Sequence, residues 1–159
     1  MPMTLIETID SHHRGLLRAL EQVEELASTP ESAGELAAAI EAVRHSLLAH
    51  EVTAGQFLVG PLRHLRLLDD KQLDALGDEL DQLSREAVRL ASGEPDLGAI
   101  TTFVLEARRH IERKARAVAA AARAAIAEGR LPAVPRWYVD EVYDQQGGPG
   151  ARPPEEWLG

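Results

Sequence analysis

Apolar side chains recur at every third or fourth position along most of this chain, which is the spacing of one face of an α-helix. Residues 6–23, 40–58, 73–90 and 103–125 carry the pattern in turn. No run of residues alternates with a period of two, so β-strands are not expected. Short segments join the four amphipathic segments, and short connections place successive helices antiparallel. The pattern predicts an all-α protein that folds as an up-down-up-down four-helix bundle.

Helix-ending residues between these segments predict where the helices begin and end. The segment "ASTPESAG" is rich in Ser, Pro and Gly and separates the first helix from the second. Pro61 is expected to end the second helix, because proline has no backbone N–H to donate. Asp96 is expected to cap the N-terminus of the fourth helix, and Gly129 is expected to end that helix.

The chain changes character after Pro132, which divides it into a helical bundle at residues 1–130 and a Pro/Gly/aromatic C-terminal tail at residues 131–159. The tail contains both tryptophans, both tyrosines and most of the prolines. Its stretch "PRWYVDEVYDQ" is expected to form a short helix. Because large aromatic side chains gain free energy by burial, we expect the tail to dock on an open end of the bundle rather than to hang free.

The composition limits which classes of binding partner and which cellular compartment are expected for this chain. With 159 residues, 45% of them hydrophobic and 27% charged, the chain suits one soluble domain. The net charge of −9 repels nucleic acid and anionic lipid, so neither is expected as a partner. The absence of cysteine excludes disulfides, thiolate metal sites and cysteine nucleophiles. No signal peptide or membrane-spanning run is recognisable, so a cytoplasmic location is expected.

Three of the six histidines lie on the predicted apolar faces of three different helices: His13, His50 and His110. The apolar faces of a bundle converge on one axis, which is where helical proteins build metal and cofactor sites. Shared neutral imidazoles would suit iron, zinc, copper, nickel or manganese. The alternative is that each is a core histidine with an ordinary hydrogen bond. The remaining three are expected at or near the surface: His12, His45 and His64.

Three stretches resemble the hemerythrin-like, or HHE cation-binding, family: "IDSHHRGLLRALEQVEEL", "LLAHEVTAGQFLVGPL" and "RRHIERKARAV". The resemblance covers residues 5 to about 127. It implies a four-helix bundle with a non-haem iron centre, and it places His13, His50 and His110 at ligand positions.

The sequence departs from that family at the residues that would hold two iron ions. Ala54 and Lys114 stand where the family has its bridging glutamates, and Leu80 stands near the position of a further histidine. Without those carboxylates, two iron ions would lie uncompensated in a core of low dielectric. The sequence therefore predicts a remodelled centre that is not an ordinary di-iron site.

Lys114 lies on the buried face of the fourth helix, one turn after His110. A buried ammonium needs a partner or must lose its charge. We expect Lys114 to pair with Glu51 or Glu79, which lie beside the apolar faces of the second and third helices. Glu106 is expected to accept a hydrogen bond from His110 and orient its ring. The alternative is that Lys114 lies at the edge of the face and extends to water.

These observations predict a protein that holds one metal ion, most readily iron, or a haem through His13, His50 and His110. Its ligand would be dioxygen, nitric oxide or a related small molecule. A first alternative is a metal-free bundle that serves as an interaction scaffold, with a protein partner or a second copy bound through the bundle surface or the tail. A second is an enzyme in which Lys114 and a histidine act as acid and base in a central cavity. Small residues near the histidines, such as Ala54, Gly55 and Ala107, leave room for a small ligand.

Overall fold

The structure, a computed structural model, describes residues 4–29, 33–131 and 134–146. Within these ranges the chain forms six α-helices and one π-helical segment and contains no β-strand. The helices are α1 (Leu5–Ala27), α2 (Ala33–Ala54), α3 (Gly60–His64), α4 (Asp70–Ser92), α5 (Leu97–Ala127) and α6 (Arg136–Gln145), and the π-helical segment is Gly55–Val59. The prediction of an all-helical protein is confirmed.

The four long helices pack as a ring in which α1 contacts α2, α2 contacts α4, α4 contacts α5, and α5 contacts α1. The centre of the ring is a cluster of buried apolar side chains contributed by all four helices, among them Leu16, Val43, Leu83 and Phe103. Burial of each large side chain of this kind stabilises the fold by roughly 1.5–3 kcal/mol. The apolar faces read from the sequence are thus the faces that meet.

Polar side chains cap the helices where the chain turns. Thr4 and Glu7 form a capping box at the start of α1, each bonding the backbone N–H of the other. Asp96 accepts a hydrogen bond from the backbone of Ala99 at the start of α5, as predicted. Gly129 has φ +69° directly after α5, a left-handed conformation that glycine adopts without strain. The predicted N-cap and C-terminal stop of this helix are therefore confirmed.

The prediction that Pro61 ends the second helix is wrong. The chain continues from α2 through the π-helical segment into α3, with Pro61 in the first turn of α3. A proline clashes with the carbonyl four residues earlier in an α-helix, and a π turn relieves this by shifting hydrogen bonds to the fifth residue. Gly60 donates such a bond to the carbonyl of Gly55, and a Cβ on Gly60 would lie 2.7 Å from that oxygen.

The short helix predicted in the tail is present as α6, which packs against α1 and α2. Its inner face buries Val139, Val142 and Tyr143, and the two valines belong to a second apolar cluster at this end of the bundle. The expected docking of the tail is therefore found for α6. Trp137 lies on its outer face and is 67% exposed. The rest of the tail, including Trp157, lies outside the described residues.

Candidate functional site

A cavity of about 290 Å³ lies between α1, the end of α2 with its π-helical segment, and α5. Most of its wall is apolar and comes from Ile6, Ile9, Ala54, Leu58, Val59, Ala115, Val118, Ala119 and Ala122. Its polar lining residues are Asp10, His13, His50, Lys114, Arg116 and Arg123. This size is near the lower end of known small-molecule sites, which measure about 300–1,000 Å³.

Small side chains on α2 and α5 leave this space open. Ala54, Ala115, Ala119 and Ala122 stand on the two facing helices at positions where a leucine would fill the gap. By contrast, Ala107 lies in the fully packed central core, one turn before His110. Of the small residues noted in the sequence, Ala54 therefore lines the cavity and Ala107 does not.

His13 and His50 lie side by side at one end of the cavity, with their ring centroids 4.4 Å apart and their planes tilted by 52°. Burial lowers the pKa of His13 to about 4 and holds the pKa of His50 well below its ordinary value. The nearby Lys114 ammonium adds to both shifts. Both imidazoles are therefore neutral at neutral pH, and each presents one N–H donor and one acceptor nitrogen.

His50 carries an unused hydrogen-bonding group. The residue is 5% exposed, and its Nδ1 atom is buried without a hydrogen-bond partner among the described residues. A buried polar atom left in this state destabilises the fold by roughly 1–3 kcal/mol. His50 also lines the cavity, so its ring is a candidate hydrogen-bonding group for a bound molecule.

Lys114 on α5 pairs with Glu51 on α2, and its Nζ donates a hydrogen bond to Oε2 of Glu51. The lysine is only 7% exposed, whereas the glutamate side chain is 42% exposed. Burial lowers the pKa of Lys114 to about 8. The carboxylate expected as its partner is thus Glu51 rather than Glu79, and the lysine does not extend into water.

Glu79 contacts His110 instead. Nδ1 of His110 donates to Oε1 of Glu79 at 3.0 Å, and the guanidinium of Arg113 donates to the same oxygen at 2.9 Å. The expectation that Glu106 orients this imidazole is wrong, because Glu79 reaches the ring from the neighbouring helix α4 while Glu106 is exposed in a surface groove. His110 is buried, but it does not line the cavity.

His12 is buried, which corrects the expectation that it lies at or near the surface. Its ring stacks on Tyr143 of α6 with centroids 3.9 Å apart, and its Nε2 donates to Oδ1 of Asp140 at 2.8 Å. Burial lowers its pKa although Asp140 opposes this shift. The spacing of Leu5, Ile9, His12 and Leu16 already fits a helix face and could have signalled the burial. His45 and His64 are exposed, as predicted.

The residues present do not fit a di-iron centre. Ala54 offers no donor atom, Lys114 offers a cation, and Leu80 is packed in the central core. Within residues 4–29, 33–131 and 134–146, no three His, Asp or Glu side chains are arranged to hold a metal ion. The three histidines singled out in the sequence separate into a neighbouring pair, His13 and His50, and a third ring that is bonded to Glu79.

Comparisons with known proteins give no information about the function of this chain. No protein-family model, curated protein or solved structure matches the chain. None of the helices in the described part is long and apolar enough to cross a membrane. The cavity and its polar end are therefore the basis for a functional hypothesis.

Proposed function

We propose that this chain is a hemerythrin-like, up-down-up-down helical bundle that binds a small, mainly aliphatic molecule in the cavity between α1, α2 and α5. The polar end of the molecule contacts His13, His50 and Lys114. The observation that carries the proposal is the unpartnered, buried Nδ1 of His50 beside a cavity with an apolar wall. The ring packing of four helices supports the family placement.

The charges around the cavity favour an uncharged polar end. Both imidazoles are neutral, and the positive charge of Lys114 is balanced by Glu51. A hydroxyl or carbonyl oxygen accepts hydrogen bonds from an imidazole N–H and an ammonium without bringing a charge that must be desolvated. The aliphatic wall then receives a short hydrocarbon chain. Arg116 and Arg123 are exposed lining residues, and they mark where the cavity meets solvent.

Titration with 1-hexanol, followed by NMR shifts of the backbone amides, tests the proposal. We expect shifts confined to residues around the cavity and a raised melting temperature. Replacement of Ala119, which lines the cavity, by leucine should remove both effects because the side chain fills the space. The matched control is Ala120→Leu, at an exposed position of the same helix, which should bind like the parent. Absence of shifts near the solubility limit of hexanol would overturn the proposal.

A second candidate is one metal ion, with iron first, or a haem, held by His13 and His50 with positions open to dioxygen, nitric oxide or a related ligand. The neighbouring neutral imidazoles favour it. The Lys114 ammonium opposes it by repelling a cation, and His110 would have to leave Glu79 to join. Metal analysis and an absorption spectrum of freshly purified protein test it. One equivalent of metal or a Soret band, lost in His50→Ala and kept in the exposed-site control His45→Ala, would support it.

Metal-free protein that takes up neither iron nor zinc on incubation would refute the second candidate. If hexanol also fails to bind, both the small-molecule hypothesis and the metal or haem hypothesis are refuted. The remaining hypothesis is then the scaffold, in which the bundle surface or the tail contacts a protein partner. The two experiments together therefore separate the three functions.

A further inference from the structure

Lys114 combines features that suit covalent chemistry with a carbonyl group. We propose that its amine forms a Schiff base with a small aliphatic aldehyde or ketone bound in the cavity. This inference rests on the proposed function and names the class of ligand. It is carried by the position of Lys114, which lines the cavity together with His13 and His50 and donates a hydrogen bond from Nζ to the Glu51 carboxylate.

The choice of lysine at this position is the first argument. The chain has two lysines, Lys71 and Lys114, and fifteen arginines. For an ion pair with a carboxylate, arginine offers a planar fork with two parallel hydrogen bonds and is the better residue. An arginine cannot lose its proton or form an imine under physiological conditions. The one buried cation among the described residues is nevertheless a lysine.

The second argument is the proton balance around the amine. Only the neutral amine attacks a carbonyl carbon. Burial lowers the pKa of Lys114 to about 8, so part of the amine is neutral near neutral pH. Glu51 is already hydrogen-bonded to Nζ and is placed to take its proton.

The reaction balances with the residues present. The proton of the ammonium moves to Glu51, and the lone pair of Nζ forms a C–N bond with the carbonyl carbon while the carbonyl oxygen takes a proton from the nitrogen. Glu51 then returns its proton to the resulting hydroxyl, which leaves as water as the C=N bond forms. The products are a protonated imine and water, and the imine remains paired with the Glu51 carboxylate. An imidazole N–H of His13 or His50 can hold the carbonyl oxygen before attack.

The apolar wall adds a third argument. An imine is hydrolysed by water, and the hydrocarbon chain of an aldehyde would cover the lysine with Ile9, Leu58 and Val118 around it. Exclusion of water protects such an intermediate. The exposed Lys71 at the start of α4 has no comparable surroundings. Lys71 therefore serves as the reference amine against which the reactivity of Lys114 is compared.

Reductive trapping tests the inference. The protein is incubated with hexanal and sodium cyanoborohydride near pH 8, and intact mass and peptide mapping then locate the secondary amine. We expect one hexyl group on Lys114, formed at least about tenfold faster than on Lys71, because burial lowers the pKa of Lys114 to about 8. Lys114→Arg should keep the positive charge and lose the modification, and Lys71→Arg should leave labelling of Lys114 unchanged.

The carbonyl-free counterpart, 1-hexanol, separates failure of this inference from failure of the proposed function. If hexanol binds and hexanal does not modify Lys114, or modifies it no faster than Lys71, the Schiff base is refuted and the binding function stands. If neither molecule binds, both proposals fail. Rapid modification of Lys114 that is suppressed by hexanol and by Ala119→Leu would support both.

Discussion

The ion pair between Glu51 and Lys114 allows a quantitative prediction about stability. Replacement of Glu51 by glutamine removes the negative charge and leaves the Lys114 ammonium buried with a neutral partner. Breaking a fully buried pair destabilises a protein by about 3–5 kcal/mol. Here the glutamate side chain is 42% exposed, so water replaces part of the lost interaction. We therefore expect Glu51→Gln to lower the free energy of unfolding by about 1–3 kcal/mol at pH 7.

Removal of the lysine should have a smaller effect. Lys114→Met keeps most of the aliphatic stem in the apolar surroundings and leaves Glu51 exposed enough to be hydrated. We expect it to change the free energy of unfolding by less than about 1 kcal/mol. In the double variant the glutamine no longer faces a buried charge, so its stability should match that of Lys114→Met. The coupling energy from this double-mutant cycle should therefore equal the effect of Glu51→Gln, about 1–3 kcal/mol.

Urea denaturation followed by far-UV circular dichroism measures all four proteins. Repeating it at pH 9 adds an internal check, because the pKa of Lys114 is about 8 and the neutral amine no longer needs the carboxylate. His13 and His50 are neutral at both pH values and do not contribute to the difference. The loss in free energy of unfolding caused by Glu51→Gln should therefore become smaller as the pH rises.

The exposed Glu21 supplies a control, since Glu21→Gln removes the same charge without a buried partner. Its effect should stay within about 0.5 kcal/mol. Additive effects of the two substitutions in the cycle, or a deficit of Glu51→Gln that is equal at pH 7 and pH 9, would refute the coupling between burial of Lys114 and its carboxylate.

Further predictions concern pH, the docking of α6 and the π turn. Burial lowers the pKa of His13 to about 4 and also lowers that of His50, so below pH 6.5 the unfolded chain binds more protons than the folded one. The contribution of these histidines to stability should be full above pH 6.5 and fall towards pH 4, by about 3 kcal/mol from His13 alone, in urea titrations at fixed pH; a flat profile over this range would contradict the burial. Tyr143→Ala should cost about 3 kcal/mol by removing a fully buried ring, whereas Tyr143→Phe should be neutral or stabilising because the hydroxyl has no partner among the described residues. Gly60→Ala should destabilise by more than about 1 kcal/mol, because its Cβ would press on a backbone carbonyl, whereas Gly77→Ala in the open middle of α4 should stabilise by up to about 1 kcal/mol; equal thermal shifts for the two would refute the close contact.

The positions of the long helices could be predicted because each buries one continuous apolar face. Helix periodicity is a local property, and Asp96 and Gly129 act within one turn of the helix ends. The prediction that Pro61 ends the second helix is wrong because a proline interrupts a helix only where the backbone keeps the α-helical hydrogen bonds between residues four apart. The π turn between Gly55 and Val59 changes that spacing. Helix and turn preferences of single residues do not indicate a π-helical segment at this place in the sequence.

The histidines show where local reasoning fails. His12 and His13 are neighbours, and either could have faced the core. Both turn inward: His13 lines the cavity, and His12 is covered by Asp140 and Tyr143 of α6, from a distant part of the chain that local spacing does not reveal. In the same way Glu51 and Glu79 flank the apolar faces equally in the sequence. Which of them meets the lysine depends on the relative rotation of α2, α4 and α5, and a single sequence does not determine that rotation.

The presence of a cavity beside the ion pair distinguishes two explanations for Lys114. If the pair served only to stabilise the bundle, larger side chains at Ala54, Ala119 and Ala122 would fill the space and add apolar contacts. An arginine would also bind Glu51 with better geometry. The chain has alanine at all three positions, a lysine at the fourth, and a buried nitrogen of His50 without a partner in the described structure. The proposed binding of a small carbonyl compound in the cavity accounts for all three features.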